Sequence, residues 1–133
     1  TYPSIFALGH KAVADLLPRA SRSCFASLSA RVGSIGDNRL GGWYSYRAAK
    51  AAQNQLLRTW SIELARTRPL ATVLLLHPGT TATDLSQPFR AGVAPGQLFS
   101  PAYAASHLLE LMLTRTSADS GAFLAWDGQT VPW

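Results

Sequence analysis

The segment Ala71-Thr72-Val73-Leu74-Leu75-Leu76 does most to restrict what this chain can fold into. A short apolar run, too brief for an ordinary helix and ended by His77, Pro78 and Gly79, reads as a strand buried on both faces of a parallel sheet. Parallel strands need long crossovers, and the flanking sequence supplies them. Pro3 to Leu17 carries apolar residues at mostly helical spacing and stops at Pro18. Ser23 to Ser29 shortens to a strand period, with Cys24, Ala26 and Leu28 facing one way and Phe25, Ser27 and Ser29 the other. A glycine-rich irregular loop runs from Gly33 to Gly42. Trp43 to Arg66 is the longest helix, with Leu56, Leu57, Trp60 and Leu64 as its apolar stripe and Pro69 as its stop.

Thr80 to Phe99 reads as loop, holding two prolines and two glycines. Ser100 caps a helix that has Pro101 in its first turn and runs to about Leu113. Gly121 to Trp126 is a last strand, and Val131 to Trp133 an apolar tail. The order helix, strand, helix, strand, helix, strand defines α/β units with right-handed crossovers. In such sheets ligands bind beyond the carboxyl ends of the strands, which directs attention to the loops after Ser29 and Leu76.

At 133 residues there is room for one core. With 47% hydrophobic and 14% charged residues the chain is not disordered, and its sparse charge leaves apolar surface for another chain or segment. No run reaches the roughly 18 residues of a membrane span, and the opening lacks the pattern of a secretory signal, so the expectation is a soluble, cytoplasmic protein. One cysteine and three scattered histidines suggest neither a disulfide nor a metal site. The net charge of +5 invites a nucleic-acid reading, but the ten Arg and two Lys form no cluster, and none is expected.

Tyr46 and Lys50 lie four apart at the start of the long helix and so share a face. With four Tyr and two Lys in the chain, this pairing arises by chance roughly 0.06 times. A phenol titrates near 10, too high for ready proton exchange. An ammonium about 4 Å away at an effective dielectric near 20 is worth roughly 4 kcal/mol, enough to lower that pKa by up to about three units. Against this acid/base reading stands an ordinary surface pair on a helix.

Three stretches together resemble the short-chain dehydrogenase/reductase family. They are Ser29-Ala30-Arg31-Val32-Gly33-Ser34-Ile35, Tyr46-Arg47-Ala48-Ala49-Lys50 and Leu76-His77-Pro78-Gly79-Thr80-Thr81-Ala82-Thr83. The first of these, together with Gly41-Gly42-Trp43-Tyr44-Ser45-Tyr46-Arg47, looks like the family's C-factor and sniffer-type carbonyl reductase branch. The resemblance implies an NAD- or NADP-dependent oxidoreductase acting on a small carbonyl or alcohol. It also implies that residues 1–133 form one partial domain, the C-terminal half of a Rossmann-type doubly wound sheet with about three strands. The family's glycine-rich pyrophosphate turn has no counterpart in this sequence, so the chain by itself is expected to be inactive. Choice between NAD and NADP rests on residues the sequence does not contain.

By the same resemblance Tyr46 is the proton donor, while Lys50 lowers its pKa and binds the nicotinamide ribose. Pro78 and Gly79 shape the turn beside the nicotinamide, and Thr83 contacts the carboxamide or a phosphate. The carbonyl-polarising serine is open between Ser34, twelve residues before Tyr46, and Ser29; the position used in many relatives holds Ala30. Phe89 and Phe99 fall where the family places a substrate-covering loop, and either substrate contact or loop packing accounts for them. His77 is expected to be packed and hydrogen-bonded, Cys24 a small hydrophobe, Trp60 core. The family suggests homo-oligomerisation, with Ala48, Ala49, Ala51 and Ala52 permitting close packing, or association with the missing N-terminal half. A second reading of different class is a non-enzymatic remnant or a signalling and interaction module without cofactor.

Overall fold

The computed structural model describes residues 12–133, apart from the side chains of Leu85 and Phe89. Of the helix expected over Pro3 to Leu17, residues 12–16 are helical and Leu17 is already a bend; residues 3–11, like the Phe89 side chain, lie outside the described residues. Strand β1 (Ser23–Leu28) is followed by a 3₁₀ turn at Arg31–Gly33 and by helix α1 (Tyr44–Ala65). Then come β2 (Ala71–His77), β3 (Thr80–Thr81), a 3₁₀ segment at Asp84–Gly92, β4 (Leu98–Phe99), α2 (Pro101–Thr114) and β5 (Ala122–Ala125). The main sheet has the order β1-β2-β5 and is parallel throughout, with Leu28 beside Leu76 and His77 beside Ala125.

β2 is central, and Val73, Leu74 and Leu75 are wholly buried, as a strand covered on both faces must be. Its alternation sorts the core into two layers. Ala71, Val73 and Leu75 meet Leu57, Trp60 and Leu64 of α1, joined by Phe123 and Val131. Leu74 and Leu76 meet Leu108 and Leu111 of α2, together with Leu124. The faces expected for β1 hold: Phe25 packs on the α1 side, and Cys24 and Ala26 on the α2 side. Burial raises the Cys24 thiol pKa, against the pull of Arg22, which suits its role as a small hydrophobe.

Ser100 caps α2 by accepting from the Tyr103 N–H at 3.1 Å, with Pro101 in the first turn as expected. The expectation of unstructured loop over Thr80 to Phe99 is corrected. β3 and β4 pair in parallel, Thr80 with Leu98 and Thr81 with Phe99. These strands of two residues are too short to leave a period in sequence, and the connecting 3₁₀ segment carries Pro88 inside it.

Candidate active site

The inward face of α1 changes character along its length. Tyr46, Lys50, Gln53, Asn54, Leu57, Trp60, Ser61 and Leu64 recur at helical spacing. The later members fill the core, whereas Lys50, Gln53 and Asn54 meet the carboxyl end of β1. Lys50 Nζ donates to the Leu28 carbonyl and to Gln53 Oε1, each at 3.0 Å. Gln53 Nε2 donates to the same carbonyl at 3.0 Å and to Ser27 Oγ at 2.7 Å. Ser29 Oγ donates to Asn54 Oδ1 at 2.5 Å, and Ser29 N–H to the Leu76 carbonyl at 2.8 Å. Gly33 makes this closeness possible, since a Cβ there would stand 2.7 Å from Cβ of Lys50.

Gln53 and Asn54 are buried and were missed by a search for an apolar stripe. The signal that would have found them is the same helical period carried upstream into polar residues. Neither candidate serine is exposed. Ser29 is occupied with Asn54, and Ser34, 1% exposed, accepts the Asp37 N–H at 3.0 Å, closing a turn.

Tyr46 and Lys50 are both half-buried one turn apart on α1. The expected acidification of the phenol does not appear in this chain. Burial raises the Tyr46 pKa above 10, and burial lowers that of Lys50. Burial is the cause at both groups, and two of the three Lys50 N–H groups are held at the strand end by Leu28 and Gln53.

Across the sheet edge, Pro78 and Gly79 form the turn after β2, with Gly79 at φ 75°. A Cβ at Gly79 would lie 2.7 Å from Cδ2 of Phe99, closer still to Cε2, and 3.1 Å from Trp126. Phe99 meets Trp126 edge-to-face at a centroid separation of 4.6 Å, and Tyr103 and His107 extend the cluster. Phe99 therefore packs within the fold. Thr83 is exposed, its N–H donating to Ser86 Oγ at 3.3 Å and its carbonyl accepting from Arg90 at 2.6 Å.

His77 corrects another expectation, because its Nδ1 is buried without a hydrogen-bond partner. Burial, reinforced by Arg31, lowers its pKa to about 4 against the opposing pull of Asp127 and Asp37. Two shallow depressions of about 260 and 230 Å³ flank α1 near Gly33 and Ile35, and neither is lined by Tyr46 or Lys50. Among the described residues no group of three or more His, Cys, Asp or Glu could hold a metal, and no helix is long and apolar enough to cross a membrane.

A parallel sheet between helices, with polar side chains gathered at its carboxyl edge, defines a Rossmann-type α/β protein. Comparison with known proteins narrows this. No family model matches the chain. Over 108 residues it is 40% identical to the 1-hydroxy-2-glutathionyl-2-methyl-3-butene dehydrogenase of Rhodococcus sp. (strain AD45), covering 80% of this chain and 45% of that protein. It is 35% identical over 108 residues to the C-signal of Myxococcus xanthus, covering 81% of this chain and 60% of the relative. The fold superposes on the NADPH-bound carbonyl reductase from chicken fatty liver with a TM-score of 0.74 and 28% identity, covering 93% of this chain and 48% of that one. The chain is similar in the same way to a putative short-chain dehydrogenase/reductase from Burkholderia multivorans with bound NADP, with a TM-score of 0.71 and 28% identity, covering 92% of this chain and 48% of that one, so its likenesses are to the short-chain dehydrogenase/reductase family. It spans about half the length of the relatives it matches.

Proposed function

We propose that this chain is the C-terminal, acid/base half of an NAD(P)-dependent oxidoreductase that interconverts a small carbonyl compound and its alcohol. The observation that carries the reading is the placement of Tyr46 and Lys50 on one face of α1, with the Lys50 ammonium at the carboxyl end of β1. That is the sheet edge at which nucleotide-binding α/β folds act.

The residues at this edge fit the nicotinamide end of a dinucleotide. Lys50 keeps one N–H beyond the two already committed, suited to a ribose hydroxyl. The buried Thr81 Oγ1, two residues past the left-handed Gly79, has no partner. Pro78 and Gly79 hold the turn, and Thr83 lies next along it. Pro78, Gly79 and Lys50 would hold a reduced nicotinamide, which would supply hydride chemistry at this edge. Tyr46 holds the proton for the carbonyl oxygen and releases it as that oxygen becomes an alkoxide. A phenol whose pKa burial raises keeps its proton until the oxygen gains charge. Ser29, at the strand end, is better placed than the turn-closing Ser34 to polarise the carbonyl, on condition that it releases Asn54.

The test uses the full-length protein. Tyr46→Phe should lower the rate of NADPH-dependent reduction of a probe aldehyde at least a hundredfold. NADPH affinity should stay within about threefold, because only the hydroxyl is removed. Retained turnover would remove Tyr46 from the chemistry. A second reading, a signalling or interaction module without cofactor, is favoured by the likeness to a protein named C-signal. Failure of the full-length wild type to bind either NADH or NADPH would decide for it.

A further inference from the structure

The helix that carries Tyr46 begins in an unusual way. Gly41, Gly42 and Trp43 have φ of 67°, 70° and 50°, so three successive residues are left-handed. Trp43 is the N-cap of α1 and makes no side-chain cap hydrogen bond. Helices normally start from an extended cap whose side-chain oxygen binds a free N–H of the first turn. Here neither feature is present, and a left-handed run of this kind needs some other restraint, since residues with a Cβ avoid it.

Arg47 supplies that restraint. Its Nε donates to the Gly42 carbonyl at 3.0 Å, one terminal nitrogen to Gly41 at 3.1 Å, and the other to Val32 at 3.2 Å. The guanidinium carbon lies 5.7 Å from the centre of the Trp43 ring. One planar fork thus gathers two carbonyls of the left-handed run and one from the 3₁₀ turn that follows β1. It ties the start of α1 to the 3₁₀ turn that follows the strand receiving Lys50. A solvated surface arginine would show no such convergence. A lysine could not reproduce it, because an ammonium lacks the fixed geometry of the fork.

We infer that Arg47 is the positioning residue for its neighbour Tyr46, fixing the left-handed start of α1 and through it the place of the phenol. The inference rests on the reading of Tyr46 as proton donor. It is tested in the full-length protein with Arg47→Lys and Arg47→Met, following reduction of pyridine-4-carboxaldehyde by NADPH. The Tyr46 ring signal is followed separately in ¹³C-tyrosine-labelled protein and assigned with Tyr46→Phe. Arg47→Lys should lower kcat at least tenfold with KM changed less than twofold. The Tyr46 signal should shift or broaden while that of Tyr103, on α2, stays in place.

A kcat within twofold of wild type together with an unmoved Tyr46 signal would overturn the inference. Should the Arg47 variants fail to fold, Gly42→Ala takes their place. A Cβ there meets nothing within 4 Å, so only the left-handed backbone is disturbed. The Tyr46 signal should move in that variant too, and an unchanged signal overturns the inference. If the wild type reduces no carbonyl probe, the proton-donor reading fails on its own, and the ring signal still decides whether Arg47 places Tyr46.

Discussion

The carboxyl edge of the sheet is held in two different ways. At β1 the contacts are polar: Ser29 with Asn54 is buried, while Lys50 and Gln53 reach the Leu28 carbonyl nearer the surface. At β2 and β5 they are aromatic, with Phe99 and Trp126 closing over Gly79. The polar side fixes side-chain atoms by direction, which a site for proton transfer requires. The aromatic side fixes backbone by shape, which a turn facing a planar ligand requires. Each kind of restraint fails differently under substitution, so the two sides can be told apart.

Gly79→Ala should produce the largest loss of stability. Left-handed strain of about 1 kcal/mol combines with overlap of the Phe99 ring worth about 2 kcal/mol, for a total of about 3 kcal/mol in denaturant unfolding. The same substitution made in a Phe99→Ala background should cost only the strain. An equal penalty in both backgrounds would show that Phe99 does not hold the turn.

His77 sits between the two sides, at the end of the central strand. Its folded-state pKa near 4 lies below the ordinary value of 6.5, so between those pH values the unfolded chain binds a proton that the native chain does not. Stability is complete above about pH 6.5 and is lost as pH falls towards 4, by about 2 kcal/mol after allowance for partial solvation. The measurement is the difference in unfolding free energy between pH 4.5 and 7. His77→Gln should remove this part of the pH dependence and leave that of the carboxylates, whereas an unchanged slope would show that the imidazole does not titrate across this window.

The aromatic side was hard to read from sequence and the polar side only half readable, for separate reasons. β2 announced itself because burial on both faces leaves no polar residue to interrupt it. α1 and α2 did so through period, proline and cap. The Gly79 turn was placed by its residues, but its partner Phe99 belongs to a two-residue strand twenty positions later, and no local pattern links them. Tyr46 and Lys50 stood out by spacing. Gln53 and Asn54, on the same face, did not, because a buried amide in sequence resembles an exposed one until its partner is known. Spacing fixes which face Tyr46 and Lys50 share and says nothing about how far burial opposes ionisation of the phenol or which acceptors take the ammonium.

The smallest of these effects tests the polar side. Ser29→Ala deprives buried Asn54 of its one hydrogen-bonded partner, since Asn54 Nδ2 already has none, and Asn54→Leu strands the buried Ser29 hydroxyl. Each single substitution should cost roughly 1.5 kcal/mol, because a buried polar group loses solvent and gains nothing in return. The double variant removes both groups together and should be less destabilised than the sum of the singles by about 1 kcal/mol. Additive penalties in urea unfolding would mean that the two side chains do not depend on each other. Ser29 would then be free to turn towards a carbonyl without disturbing α1, and the polar side would owe its order to Lys50 and Gln53 alone.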